Sequence, residues 1–192
     1  MEVDTLIELL ILGKREGHNE LHSQYFDFIF RHARFIVKNR EDAEEVANDA
    51  FLKIKDNAGD FEKGSLFTTW MYEIVKNTAL EFLEKKNAKK RKTYDQTLAG
   101  NEPLHKTEEA DLNHPENVLI DQENYSAFLA AIKKLPVKQG IVYTFKMIDD
   151  LTNPEIMKEM GNITEASVKS YLFKAKKTME ETFGVVKKRK KK

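Results

Sequence analysis

The sequence predicts an all-α protein of two small helical bundles joined by a flexible linker. Apolar residues recur at helical spacing in two separate stretches, and the polar stretch between them shows no such period. A chain of 192 residues is also long enough for two small domains. We place the first bundle at 1–92, the linker at 93–114, the second bundle at 115–183 and a basic tail at 184–192.

The first bundle opens with two predicted helices. The first covers Thr5–Lys14 and ends near Gly13 or Gly17, and Asn19 or Ser23 caps the second. The second helix is apolar over most of its circumference, which is typical of a helix buried inside a bundle. Its main stripe consists of Phe26, Ile29, Phe30, Ala33, Ile36 and Val37, widened by Phe28 and Phe35.

Two more amphipathic helices follow between Asp42 and Leu83. The third helix has acidic residues in its first turn, where the helix dipole favours negative charge. A loop with two glycines, Gly59–Ser65, allows a sharp turn. The fourth helix begins near Leu66 or Phe67, and Trp70 lies on its apolar stripe, which favours burial over stacking on a base.

The predicted linker is acidic and polar. From Thr93 to Leu119 there is one Lys or Arg against six Asp or Glu, together with Gly100 and two prolines. Such a composition favours a flexible segment over a third domain. Such a linker would let the two bundles either separate or pack together.

The second bundle ends in a helix-turn-helix pattern. Thr152 and Glu155 have the spacing of a capping box, Gly161 ends the short helix, and Thr164 caps the last one. From Ile120 onward there are fifteen Lys or Arg against nine Asp or Glu. A short helix, a tight turn and a basic helix are typical of major-groove DNA binding. The alternative is a solvated lysine-rich helix in a structural bundle.

Both patterns resemble the sigma factors of bacterial RNA polymerase, and the small extracytoplasmic-function group matches best. The stretches DAEEVANDAFLKI and TTWMYEIVKNTA are similar to region two of that family, and residues 131–179 are similar to its helix-turn-helix region four. The resemblance implies a subunit that binds core RNA polymerase and directs it to the minus-ten and minus-thirty-five promoter elements. It also implies duplex and melted promoter DNA as partners, and an anti-sigma factor as a further one.

The resemblance assigns three groups of site residues. The acidic face of the third helix would dock on polymerase, and its alternative is plain helix solvation. The glycine loop and fourth helix would capture the minus-ten element as single strand, although Asn77 has the alternative of bonding to a loop. The groups are Glu45, Asn48, Asp49 and Lys53 for docking; Phe61, Lys63, Ser65, Phe67, Thr68 and Asn77 for the minus-ten element; and Thr164, Ser167, Lys169, Ser170, Phe173, Lys174 and Lys177 for the minus-thirty-five element.

Some residues depart from the family pattern. Asn48 and Asp49 stand where glutamine and glutamate are common, which keeps the chemistry and shortens the side chains. Tyr171 and Lys174 stand where arginines are common, and Asn162 is an added residue in the helix-turn-helix turn.

Catalytic chemistry is not expected. His18 and His22 are four residues apart but lack a third ligand, and no nucleophile elbow or phosphate-binding glycine loop is present. We therefore expect no catalytic residue, no metal and no cofactor. The absence of a membrane-length apolar run, of a leader and of cysteine favours a cytoplasmic protein. Two other functions remain open: a helix-turn-helix regulator that does not bind polymerase, and a nucleic-acid-modifying enzyme.

Overall fold

The computed structural model describes residues 1–62, 64–99 and 122–189, with side chains for 1–62, 64–89 and 125–182. All regular elements in these ranges are helical, which confirms the predicted fold class. A one-turn 3-10 helix, Ala58–Asp60, lies between α3 and α4. The helices are α1 (Val3–Ile11), α2 (Arg15–Val37), α3 (Arg40–Asp56), α4 (Phe67–Ala99), α5 (Gln122–Lys134), α6 (Val137–Met147), α7 (Asn153–Glu159) and α8 (Glu165–Arg189).

Several helix ends differ from the sequence prediction. α1 spans Val3–Ile11 rather than Thr5–Lys14. α2 begins at Arg15, before both predicted caps. α4 continues to Ala99, so the first seven positions of the predicted linker, 93–99, are helical. α8 runs through Arg189 into the predicted tail. The rest of the linker, from residue 100 to 114, and the last three residues of the tail lie outside the described residues.

The first bundle is α1–α4, and α2 is its centre. α2 packs against α1, α3 and α4, and the stripe predicted for it is buried at Ile29, Ala33, Ile36 and Val37. Its end is marked by Lys38, whose φ of 69° breaks the helical path. The chain then enters α3 through Asn39, whose side chain accepts a 2.7 Å hydrogen bond from the Asp42 amide.

The second bundle is α5–α8. α8 packs on α5, α6 and α7, and it buries Val168, Ala175 and Met179 at helical spacing. α7 begins with the predicted capping pair, because the Thr152 amide donates a 2.7 Å hydrogen bond to the Glu155 carboxylate. The Thr152 hydroxyl also donates to this carboxylate, at 2.6 Å, and this hydrogen bond together with that from the amide holds the pKa of Glu155 below its ordinary value.

The two bundles pack on each other, and their buried side chains form one hydrophobic cluster. Phe35 of α2 meets Phe128 of α5 edge to face, with ring centroids 5.3 Å apart. The Tyr125 hydroxyl donates a 2.9 Å hydrogen bond to the Ile36 carbonyl. The face of the first bundle formed by α2 and α4, called here the α2–α4 face, is therefore covered by the second bundle.

Lys38 joins the bundles at the end of α2. Its Nζ lies 4.3 Å from the ring centre of Phe35 and 4.4 Å from that of Phe128, so one ammonium group contacts an aromatic ring from each bundle. Burial, helped by the charge of Arg34, lowers the pKa of Lys38 to about 8.

α6 of the second bundle lies close to α4 of the first at Gly140. A Cβ added there would lie 2.7 Å from the hydroxyl oxygen of Tyr72 on α4 and 3.1 Å from its Cε1. Tyr72 is fully buried, and its hydroxyl oxygen has no hydrogen-bond partner among the described residues. Only glycine lets α6 lie this close to the ring.

A similar close approach inside the first bundle supports a stability prediction. A Cβ at Gly17 would lie 2.8 Å from Leu9 Cβ and 3.0 Å from the Leu9 carbonyl carbon, so the backbones of α1 and α2 would have to move apart. We expect Gly17→Ala to cost about 1–3 kcal/mol of unfolding free energy and to lower Tm by roughly 3–8 °C in calorimetry.

The matched control is Gly59→Ala, since nothing lies within 4 Å of a Cβ built there. It should change Tm by less than about 2 °C. Equal melting temperatures for Gly17→Ala and the parent chain would show that α1 and α2 do not pack this closely.

Candidate nucleic-acid interface and acidic docking face

The polar side of α3 is exposed, as the sequence predicted. Glu45, Asn48 and Asp49 face solvent, while the opposite side of the helix is buried. Leu52 lies one turn after Asn48 on this same side and is 50% exposed. It was not among the residues predicted from the sequence, although a leucine outside the apolar stripe is unusual on a polar face. These four residues are called the docking face, after the role predicted from the sequence for Glu45, Asn48 and Asp49.

A polar cleft of about 380 Å³ separates the docking face from α4. Two ion pairs cross it: Lys86 Nζ lies 2.6 Å from the Asp42 carboxylate, and Lys53 Nζ lies 2.8 Å from Glu81. Lys53, predicted as a docking residue, is therefore held by α4. Thr78 also lines the cleft, and its buried hydroxyl has no hydrogen-bond partner among the described residues.

The glycine loop turns sharply before α4. Gly64 has a φ of 90°, which other residues rarely adopt. The amide and the hydroxyl of Ser65 both donate to the Glu62 carbonyl, at 3.0 and 2.8 Å, and the Ser65 side chain is exposed. The predicted contact Lys63 lies outside the described residues.

The two phenylalanines predicted to contact the minus-ten element are buried. Phe61 and Phe67 have 7% and 4% exposure, with ring centroids 5.4 Å apart. Trp70 lies 5.5 Å from Phe61 and 5.6 Å from Phe67, and Tyr25 of α2 lies 5.1 Å from Phe67. In this arrangement the aromatic rings stabilise the base of the loop rather than present a surface to DNA.

The remaining minus-ten residues lie on α4. Asn77 is exposed and Thr68 is half-buried. Lys76, next to Asn77, is 7% exposed, and burial lowers its pKa although Glu73 acts in the opposite direction. The structure therefore leaves Ser65 and Asn77 as the freely accessible members of this group among the residues it describes.

The helix-turn-helix turn uses two residues in the left-handed region. Gly161 has a φ of 74° and Asn162 a φ of 60°. Asparagine is among the few other residues that tolerate this conformation, so Asn162 can follow Gly161 in the turn. Leu66 packs at the turn, since a Cβ at Gly161 would lie 3.2 Å from its Cδ2.

Thr164 acts as the predicted cap of α8. Its hydroxyl oxygen accepts a 3.2 Å hydrogen bond from the Ser167 amide and lies 2.9 Å from the Ser167 hydroxyl. Both side chains are thus engaged at the helix start, which orients the first turn of α8.

The outer side of α8 presents the other predicted contacts. Lys169, Ser170, Phe173, Lys174 and Lys177 are exposed at spacings of one, three and four residues, so they share one side of the helix. Phe173 is 69% exposed among these lysines. Such a surface combines donors for phosphates with an apolar side chain suited to a thymine methyl group.

Two of these lysines form ion pairs within the helix. Lys169 Nζ lies 2.9 Å from Glu165, and Lys177 Nζ lies 3.8 Å from Glu181. Exposed pairs of this kind are weak, so phosphate can replace the carboxylate at little cost. Lys174 forms no ion pair within the part of the chain that the structure describes.

The described ranges hold neither a metal-binding cluster nor a membrane-spanning helix. No group of three or more His, Asp or Glu residues there could hold a metal ion. None of the helices in those ranges combines the length and hydropathy of a membrane span.

Comparison with known protein families gives two matches in order along the chain. Residues 21–89 match the family model for Sigma-70 region 2, and residues 125–179 match the model for Sigma-70, region 4. The first range contains the docking face and the glycine loop. The second contains the helix-turn-helix.

Whole-chain relatives agree with these matches. The chain is 27% identical over 183 residues to the ECF RNA polymerase sigma factor SigW of Bacillus subtilis, covering 94% of this chain and 96% of the relative. It is 25% identical over 179 residues to the ECF RNA polymerase sigma-E factor of Haemophilus influenzae, covering 91% and 92%. A solved structure of CnrH with the cytosolic domain of CnrY has a TM-score of 0.47 at 14% identity, covering 96% of this chain and 99% of that one.

The exposed side of α8 supports a prediction about salt. If Lys174 contacts a phosphate, Lys174→Ala should reduce the slope of log affinity against log salt concentration by about 1 on a DNA duplex, because one fewer counterion is released. Fluorescence anisotropy over a salt series measures this slope.

Lys55→Ala on α3 is the matched control, since it removes the same charge from the other bundle. It should leave the slope unchanged. Identical slopes for the parent and Lys174→Ala would show that Lys174 does not contact the phosphate backbone.

Proposed function

The chain belongs to the sigma-70 family, and we propose that it is an extracytoplasmic-function sigma factor that binds core RNA polymerase and directs transcription initiation at specific promoters. The observation that carries this proposal is the presence of both family modules, at 21–89 and 125–179, in one chain. The relatives SigW and sigma-E match over nearly their whole length. A helix-turn-helix regulator that does not bind polymerase leaves the first module without a role.

The docking face on α3 is the surface we assign to polymerase. It combines the carboxylates of Glu45 and Asp49 with the exposed Leu52, so it suits a basic partner surface with an apolar centre. The α3–α4 cleft beside it carries lysines as well as carboxylates, and its carboxylates Asp42 and Glu81 already pair with Lys86 and Lys53. Glu45 and Asp49 are therefore the cleft carboxylates that we assign to a cationic side chain of polymerase.

Promoter recognition is divided between the two bundles in this proposal. Ser65 and Asn77 contact the melted minus-ten element, because they are exposed around the glycine loop and α4. Phe61 and Phe67 are buried at the base of the glycine loop and stabilise it by packing with Trp70. α8 enters the major groove of the duplex minus-thirty-five element, with Ser170 and Phe173 towards the bases and the lysines towards phosphates.

The chain acts as a specificity subunit, and the chemistry of transcription belongs to the polymerase. It works where polymerase meets promoter DNA, which in a bacterium is the cytoplasm. An anti-sigma factor is a further partner in this proposal, since extracytoplasmic-function sigma factors are commonly controlled by proteins that cover their docking surfaces.

A charge reversal tests the docking assignment. We expect Asp49→Lys to weaken binding to core RNA polymerase by at least about tenfold, because it places a cation against a basic partner. Co-elution in size-exclusion chromatography and a fluorescence titration with labelled chain measure the loss.

Glu180→Lys makes the same change of charge at an exposed position on α8 and should leave polymerase binding unchanged. Equal loss in both variants would remove the docking face from the proposal. Absence of co-elution by the parent chain with its own core enzyme would replace the sigma-factor function with that of a DNA-binding regulator.

A further inference from the structure

A histidine lies buried where the two bundles meet. His32 of α2 has no exposed surface, and its Nδ1 lies 2.8 Å from the Phe28 carbonyl oxygen. Because a carbonyl oxygen only accepts, Nδ1 carries the proton and the neutral ring has a bare Nε2. That nitrogen has no hydrogen-bond partner among the described residues.

Both bundles contribute to the burial of this ring. Phe28 and Tyr72 of the first bundle lie 4.0 and 5.6 Å away between ring centroids. Phe145 of α6 lies 6.2 Å away, edge on, and Asp149 Oδ2 lies 3.9 Å from Nε2. Separation of the bundles would take away Phe145 and Asp149 together and expose this side of the histidine to water.

The charged groups around the histidine already form ion pairs with one another. Asp149, whose side chain is 7% exposed, is paired across the interface with Arg31 at 3.1 Å. Arg31 also pairs with Asp27 on α2 at 3.2 Å. Burial raises the pKa of Tyr72, so its hydroxyl is neutral. At 3.9 Å, Asp149 makes no hydrogen bond to the ring, and Arg31 offsets its charge.

We propose that the packing of the second bundle on the α2–α4 face is a reversible closure of the chain, and that protonation of His32 opens it. The closed form buries a neutral imidazole, whereas the open form exposes it to water, where it accepts a proton readily. Acid therefore favours the open form.

Opening has a consequence that rests on the proposed function. The minus-ten and minus-thirty-five elements are roughly 25 base pairs apart, or about 85 Å at about 3.4 Å per step. Bundles in direct contact, with Leu66 packed at Gly161, cannot reach both elements at once. The docking face and the outer side of α8 remain exposed in the closed form, so polymerase and duplex DNA have access before the chain opens.

The direction of the pH effect follows from the pKa of His32. Burial, as the largest cause, together with Arg31 lowers it to about 4 in the closed form, while the Phe28 carbonyl acts in the opposite direction. In the open form it returns towards about 6.5. The closed form is therefore fully favoured above about pH 6.5, and this preference is lost as pH falls towards 4.

Asp149 acts in the opposite direction at lower pH. Burial raises its pKa in the closed form, with smaller contributions from Asp27 and Glu159, while Arg31 lowers it. A protonated Asp149 would thus favour closure. A comparison of about pH 7.5 with about pH 5.5 stays above the ordinary carboxyl range, and it should raise the open-to-closed ratio by up to about tenfold.

The chain contains no cysteine, so a dye pair can be placed freely. Asp56→Cys on α3 and Glu180→Cys on α8 put one dye on an exposed position of each bundle. Single-molecule energy transfer in the full-length chain then measures the open fraction at both pH values. We expect His32→Gln to abolish the acid response and His22→Gln, which changes an exposed histidine, to retain it.

Gly140→Ala provides an independent measurement should His32→Gln unfold. Its methyl group would lie 2.7 Å from the Tyr72 hydroxyl, so it should raise the open fraction at about pH 7.5 while circular dichroism shows both bundles folded. The acid response measured in this background should again be up to about tenfold.

An open fraction that does not change with pH, or that decreases in acid, would overturn the proposal, as would an unchanged response in folded His32→Gln. A Gly140→Ala chain that stays closed would show that α6 does not rest on Tyr72. These distances are measured without polymerase, so their outcome is separate from the co-elution test of the proposed function.

Discussion

The burial of α2 is the constraint on which the rest of the structure depends. This helix is apolar over most of its surface, so one neighbouring layer cannot cover it. α1, α3 and α4 cover the side that carries Ile29, Ala33 and Ile36, and the second bundle covers Phe28, His32 and Phe35. The second bundle is thus held by the same apolar surface that organises the first. Opening the chain would expose these aromatic groups to water, so their burial favours the closed form.

The sequence predicted the helices well because their signals are local. Apolar spacing identified the buried Ile29, Ala33, Ile36 and Val37 of α2, and cap chemistry located Thr152 and Thr164. The sequence did not reveal that Gly140 packs against Tyr72 or that Asp149 lies beside His32, because these contacts join residues far apart in the chain. Phe28 and Phe35 did indicate that α2 packs against a second layer, because they make its apolar stripe wider than one bundle requires. The sequence also left the extension of α4 to Ala99 unpredicted, because polar residues in a helix have no period to detect.

The candidate sites were predictable to a different extent. Exposed polar residues on regular helices, such as Asp49 and Lys174, lie where helical geometry places them. Residues near the glycine loop were harder to place, because an aromatic side chain in a loop can face solvent or fold under it. Phe61 and Phe67 fold under it and pack with Trp70. Lys53 was predicted as a docking residue from its position on the polar side of α3. Only the tertiary structure shows that it forms an ion pair with Glu81 of α4.

The contact between Gly140 and Tyr72 also bears on how this chain could diverge or be recombined. Gly140 of the second bundle leaves room for the buried ring of Tyr72 in the first, so a larger residue at position 140 would clash with Tyr72. A chimaera that takes its second bundle from a relative with alanine at this position would not close on this first bundle, even if both halves folded. The two modules could then be exchanged as folded units, while the closed arrangement depends on both partners of this contact. Replacement of a whole module would therefore change the balance between the closed and open forms even where the recognition helix is retained.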